Sequence, residues 1–143
     1  MLYKPSRDQA RQFLIESWQK RRDKLPATAL ETLAADIVEW HHEYHALLEA
    51  PDAATREWTP EQGETNPFLH LSLHLAIEEQ LSIDQPPGIR QALGQLEHRT
   101  GDRHAALHTI LECLGETMWR AQRDRKPPDS EAYLECILRK TSR

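Results

Sequence analysis

Glycine and β-branched residues are scarce in this chain. Five glycines in 143 residues, with nine prolines spaced like helix punctuation, argue against a sheet protein and for an all-α one. Cysteine is nearly absent. Cys113 and Cys136 lack the spacing of a zinc knuckle, and they are expected to be free thiols in a reducing cytoplasm rather than a disulfide. There is no excess of positive charge: 18 Lys and Arg face 23 Asp and Glu, for a formal net charge of −5 and a pI near 5.9. That balance speaks against a general nucleic-acid binder. No apolar run is long enough to span a bilayer, so no membrane segment is expected. The opening residues, MLYKPSRDQARQF, are charged where a signal peptide needs its apolar region, and a cytoplasmic location follows as an expectation. Low-complexity tracts are missing, as are internal repeats beyond a recurring histidine spacing. The length suits one domain, residues 1–143, with a real core.

What the chain does have is a long apolar stretch, Asn66 to Leu81, NPFLHLSLHLAIEEQL. Its leucines alternate with His70, Ser72 and His74, which is strand period. Against that, Asn66-Pro67 is an N-cap followed by proline at the first helical position. No β-branched residue appears before Ile77, and the run continues into Glu78-Glu79-Gln80, which a buried strand would not tolerate. The stretch therefore reads as a helix, apolar almost all round and central to the fold. On a helix His70 and His74 share a face, with Glu78 one turn further along.

The remaining pattern predicts a compact bundle of about six helices. Ser6-Arg7-Asp8-Gln9 is a capping-box pattern opening a helix to about Asp23, with Lys20-Arg21-Arg22 suiting its negative end. Thr28-Ala29-Leu30-Glu31 is a second capping box, followed by Leu30, Leu33, Ala34, Ile37 and Trp40 at helical period. Whether that helix continues or restarts through His41-His42-Glu43-Tyr44-His45 is left open. Pro51 ends it, and residues 51–65, with Trp58, Pro60 and Gly63, form a loop able to cover a site. Breakers at Ser82 to Gly88 precede a helix from Ile89 to about Arg99. Asp102 caps a helix reaching about Arg125, with Leu107, Ile110, Leu111, Leu114, Met118 and Trp119 inward. A short last helix carries Tyr133, Leu134, Ile137 and Leu138 as its apolar face. Gly115, in mid-helix, suggests a close approach or room for something.

Three histidine pairs stand four residues apart: His41/His45, His70/His74 and His104/His108. Eight histidines scattered at random would give roughly 0.4 such pairs. Glu112 and Glu116 continue the series after His108, and His104, His108 and Glu112 lie near the apolar stripe of Leu107 and Leu111, which makes them candidates to point inward. Imidazoles and carboxylates one turn apart can grip a divalent ion, and pairs on several helices complete a site inside a bundle. Mixed nitrogen and oxygen donors suit zinc, iron or manganese. The metal-ligand candidates are His70, His74, His104 and His108, then His45 and Glu112, then His41. Plainer roles compete with this one. His70 and His74 serve equally well as buried neutral histidines bonded to backbone or carboxylate. His104 and His108 can belong to a partly exposed first turn, Tyr44 can be the packing residue beside His41 and His45, and Glu78 can pair across helices. His42 and His98 read as surface residues.

Taken together, NPFLHLSLHLAIEEQLSIDQPPGIR, EYHALLE and HAALHTILECLGE resemble an uncharacterised bacterial family known only as a domain of unknown function. The resemblance covers nearly the whole chain and implies a compact bacterial cytoplasmic protein. The family often has proline at the position of His42, giving HPEYH, which implies that the helix is interrupted near His41 and that His41 and His45 matter more than His42. A looser similarity, of architecture alone, is to hemerythrin-like and DinB-like bundles.

The expected function is a helical protein with a His/Glu divalent-metal site, extending to a metal-dependent enzyme in which Glu112 or Glu78 serves as general base. Its partner is an unknown small molecule or protein. The alternative is a non-enzymatic interaction module whose histidines form a buried hydrogen-bond network. A shared site requires His74 and His108 to meet.

Overall fold

The computed structural model describes residues 7–58 and 66–141. Ser6 of the first capping box, and Pro60 and Gly63 of the long loop, lie outside the described residues. Among those described there are seven helices and a 3₁₀ turn, with no strand: α1 (Arg7–Arg22), α2 (Ala29–Glu39), the 3₁₀ turn (His42–Tyr44), α3 (His45–Glu49), α4 (Pro67–Ile83), α5 (Ile89–Thr100), α6 (Arg103–Asp124) and α7 (Ser130–Thr141). None of them is long and apolar enough to cross a membrane. The chain divides into two compact units, Met1–Leu75 and Ala76–Arg143, the division falling within α4.

In the first unit α1 packs against α2 and α3. Its inward face is Arg11, Leu14, Ser17 and Trp18, the three-and-four spacing of a helical stripe. α2 starts where its capping box places it. The Thr28 hydroxyl accepts the Glu31 backbone N–H at 3.1 Å, and the Glu31 carboxylate accepts the Thr28 N–H at 2.8 Å. Ala34, Ala35, Ile37 and Val38 face inward and join Leu14, Trp18, Leu48, Trp58, Phe68 and Leu71 in one core. Arg11 is a buried cation in that core. One of its guanidinium nitrogens donates to the carbonyls of Ala53, Ala54 and Arg56 at 3.4, 3.2 and 2.8 Å, and its plane lies 4.7 Å from the Phe68 ring. Burying a cation is costly, and here turn carbonyls and an aromatic face offset the cost although Arg11 Nε has no hydrogen-bond partner.

α4 is a helix throughout residues 69–75, so the alternation of its leucines is not a strand. The Asn66 side chain caps it, accepting from Phe68 N and Leu69 N at 2.9 and 3.3 Å. Pro67, Phe68, Leu71, His74, Ile77 and Leu81 are its buried positions, and only Leu69, Ser82 and Ile83 are exposed.

In the second unit α5, α6 and α7 pack pairwise around Ile89, Leu96, Leu107, Ile110, Leu114, Tyr133 and Ile137. The turn from α4 to α5 is locked from both sides. Arg90 donates to the terminal carbonyls of Leu81 and Ser82, both at 2.6 Å, while the Asp84 carboxylate accepts the backbone N–H groups of Arg90 and Gly88 at 3.1 and 3.4 Å. Those bonds, with the one from the Arg90 amide strongest, hold the Asp84 carboxyl below its ordinary range.

Several expectations are corrected. Cys113 and Cys136 are not free thiols: they form a disulfide with Cα atoms 5.9 Å apart. Nothing in their linear spacing signals this, because the packing of α7 on α6 creates the proximity. Met118 and Trp119 are exposed rather than inward. The α6 face that stays buried runs through Cys113, Leu114 and Thr117, whose hydroxyl donates to the Cys113 carbonyl at 2.8 Å, and Trp119 lies on the opposite side of the helix from it. Leu30, Trp40 and Leu138, also expected inward, are exposed near helix ends. A Cβ at Gly115 would meet nothing within 4 Å, so no close helix approach explains that glycine.

Candidate metal centre

α2 ends without glycine or proline. What ends it is His41. The imidazole Nδ1–H of His41 donates to the Ile37 carbonyl at 2.7 Å, the bond its own backbone N–H would make in a continuing helix, while that backbone N–H goes to Val38 O at 2.9 Å. A side chain that substitutes for the helical donor turns the chain out of the helix. His41 adopts φ −115° and ψ 71°, and the 3₁₀ turn follows. The interruption implied near His41 is therefore found. His45 acts on the same helix end: its Nε2–H donates to the Val38 carbonyl at 2.8 Å, and its ring lies 4.4 Å from Trp18. Two carbonyls at the end of α2 thus accept from imidazoles, and Val38 O accepts the His41 backbone N–H as well as its ring donor.

These bonds set tautomers. A carbonyl only accepts, so neutral His41 carries its proton on Nδ1 and presents the Nε2 lone pair, whereas His45 is the reverse. A ligating histidine has this arrangement in general, one nitrogen held by a carbonyl or carboxylate and the other free for the ion.

His41 and His74 are almost fully buried, each 1% exposed, and His70 is half-buried. Their three rings form a near-equilateral triangle, with centroids 4.9 Å apart for His41–His70, 4.7 Å for His41–His74 and 4.9 Å for His70–His74. All three pairs meet edge to face. One nitrogen of each lies within 4.8 Å of the others. His41 Nε2 and His70 Nε2 are 3.2 Å apart. Two nitrogens each about 2.0–2.1 Å from a tetrahedral ion stand roughly 3.3 Å from one another, so this pair already has ligand spacing. The His70 Nε2–H donates to the His41 lone pair. Tyr44 stacks on His41 at 5.6 Å and meets the edge of His70 at 5.7 Å; burial first, and then Glu43, raise its phenol above the ordinary range.

His45 belongs to the end of α2 and Trp18, outside the triangle. On α6, in the second unit, His104 and His108 are half-buried, with ring centroids 4.2 Å apart. Glu112 does not point inward as expected: its side chain is 71% exposed, with the Lys140 ammonium 3.7 Å away. Glu78 pairs with Arg103 at 3.4 Å, the cross-helix role weighed against catalysis. His42 and His98 are exposed, as expected.

Tyr44 and Arg11 carry more of this region than their sequence positions suggested. Arg11 stands one turn before Leu14 on the stripe that leads to Trp18, and a cation on such a stripe is the signal that would have found it. Tyr44 follows His41 by three residues, yet its neighbours are set by the irregular turn, which no period describes.

Comparison with curated proteins and with solved structures gives no match. A family does match, over residues 6–139, and it is described as Domain of unknown function (DUF1841). The chain, an all-α protein whose own histidines could hold a metal ion, belongs to that family.

Proposed function

We propose that this protein binds one divalent transition-metal ion through His41, His70 and His74. The observation that carries the reading is the triangle of three rings with one edge at ligand spacing and one apex, His41, already oriented by a backbone carbonyl. The donors are all imidazoles, which suit zinc, iron, copper and nickel, whereas manganese favours oxygen. Zinc and iron therefore rank ahead of manganese. Three imidazoles leave a fourth position on a tetrahedral zinc, and iron with five or six ligands keeps more than one, for water or a substrate. A bound metal in such a position supplies Lewis acidity or redox chemistry.

The test is elemental analysis of protein prepared without a histidine tag and without added metal. One equivalent of zinc or iron supports the proposal. His70→Ala and His74→Ala each remove the ion, and the double variant adds little because both act on one site. A metal-free protein that zinc, iron and manganese all fail to stabilise refutes it. The 3.2 Å contact between His41 and His70 would then belong to a hydrogen-bonded histidine network in an interaction module.

A further inference from the structure

We propose that Cys136 is a thiol-exchange site, reached through a cleft between the end of α6 and α7 that admits a small zwitterionic thiol. The two sulfurs of the Cys113–Cys136 disulfide are not equally placed. Cys113 is 1% exposed and is walled into α6 beside Ile110, Leu114 and Thr117. Cys136, at 7%, forms part of the lining of a cleft of about 380 Å³, within the size range of small-molecule sites. A disulfide is opened by a thiolate attacking one sulfur, and access decides which one. Here access favours Cys136.

The lining indicates what enters. Arg120, Lys126 and Arg139 supply positive charge, and Glu116, Asp129 and Glu135 supply negative charge. Over the whole cleft cations and carboxylates are equal in number, four of each. An apolar thiol gains nothing from such walls, and a purely anionic one meets as many carboxylates as cations. A thiol carrying both an ammonium group and carboxylates complements both signs.

The exchange is balanced as follows. The incoming thiolate forms a bond to Cys136 Sγ, the Cys136–Cys113 bond breaks, and its electron pair leaves on Cys113 Sγ, which takes a proton from solvent. The product is a mixed disulfide on Cys136 and a free thiol on Cys113. The covalent tie between α6 and α7 is then open, and a second thiol reverses the modification of Cys136. None of this depends on the metal reading, since the cleft residues and both cysteines lie in the second unit.

The test uses the full oxidised chain, with reduced glutathione as the zwitterionic probe and 2-mercaptoethanol as the uncharged one. After acid quenching, proteolysis and mass spectrometry locate the adduct. The expected result is glutathione on Cys136 and a free thiol at Cys113. Lys126→Gln/Arg139→Gln should slow glutathione addition severalfold and leave the 2-mercaptoethanol rate unchanged. As a check that does not require the disulfide, Cys113→Ser, with its helical circular dichroism intact, should take glutathione on Cys136 from oxidised glutathione. An adduct mainly on Cys113 overturns the proposal. So does equal slowing with both thiols, or a disulfide that dithiothreitol reduces and glutathione leaves untouched.

Discussion

His70 and His74 stand one turn apart on an unbroken helix, and both rings turn to the same triangle. His41 and His45 have the same separation but straddle the end of α2, and only His41 joins them; His45 turns back to the Val38 carbonyl. An i,i+4 spacing places two side chains together only while the backbone between them stays helical. The second unit offers a further contrast. The region around His41 is held by hydrogen bonds from side chains to helix-end carbonyls, whereas α6 and α7 are joined by a covalent bond. One region has its polar groups oriented by the fold, and the other has its helices tied whatever their polar groups do.

The largest effect should separate the two members of the α2 pair. His41→Ala removes a ligand and should abolish metal binding, while His45→Ala should retain it and lose only stability. Isothermal titration with zinc distinguishes them, and equal loss in both variants would erase the contrast. Next comes the covalent tie. Cys113→Ala/Cys136→Ala opens a loop whose ends are 23 residues apart, and unfolding in urea should show a loss of about 3 kcal/mol. Hydrogen exchange should place that loss in α6 and α7, with the amides of α1 and α2 unchanged. A loss spread evenly over both units would show that the two regions do not act separately.

Gly115→Ala should act in the opposite direction. A Cβ there meets nothing within 4 Å, so the gain is the helix-propensity difference of about 1 kcal/mol, read as a higher urea midpoint. A destabilised variant would restore the tight-packing explanation of this glycine. The smallest effect at neutral pH is expected from Asp84→Asn, which keeps an accepting oxygen at the turn. Asp84 has a folded pKa below its ordinary 3.8. Its contribution is therefore complete above that value and is lost as pH falls through the depressed one. Acid titration of stability should show a steeper fall below about pH 4 in the wild type than in the variant; parallel curves would remove Asp84 from the acid response.

Much of the fold was legible in the chain. The Thr28 and Asp102 caps and the Asn66-Pro67 start act within a few residues of themselves, so their chemistry is written locally. The helical character of α4 was legible too, because proline at its start and the absence of β-branched residues outweighed the alternation of its leucines. His70 and His74 followed from that helix, and His41 was ranked below them because the backbone at the end of α2 could not be read.

By itself the sequence determined the helices, their caps and the sharing of a face by His70 and His74, since each depends on contacts no more than about one turn long. Only the tertiary structure decided that His41 meets those two rings, that Arg11 is buried under Phe68, that Glu112 faces solvent and that Cys113 bonds Cys136. Each of those outcomes depends on which helix faces pack together and on one turn without periodicity. Such relations are set by burial summed over the core rather than by any short run of residues.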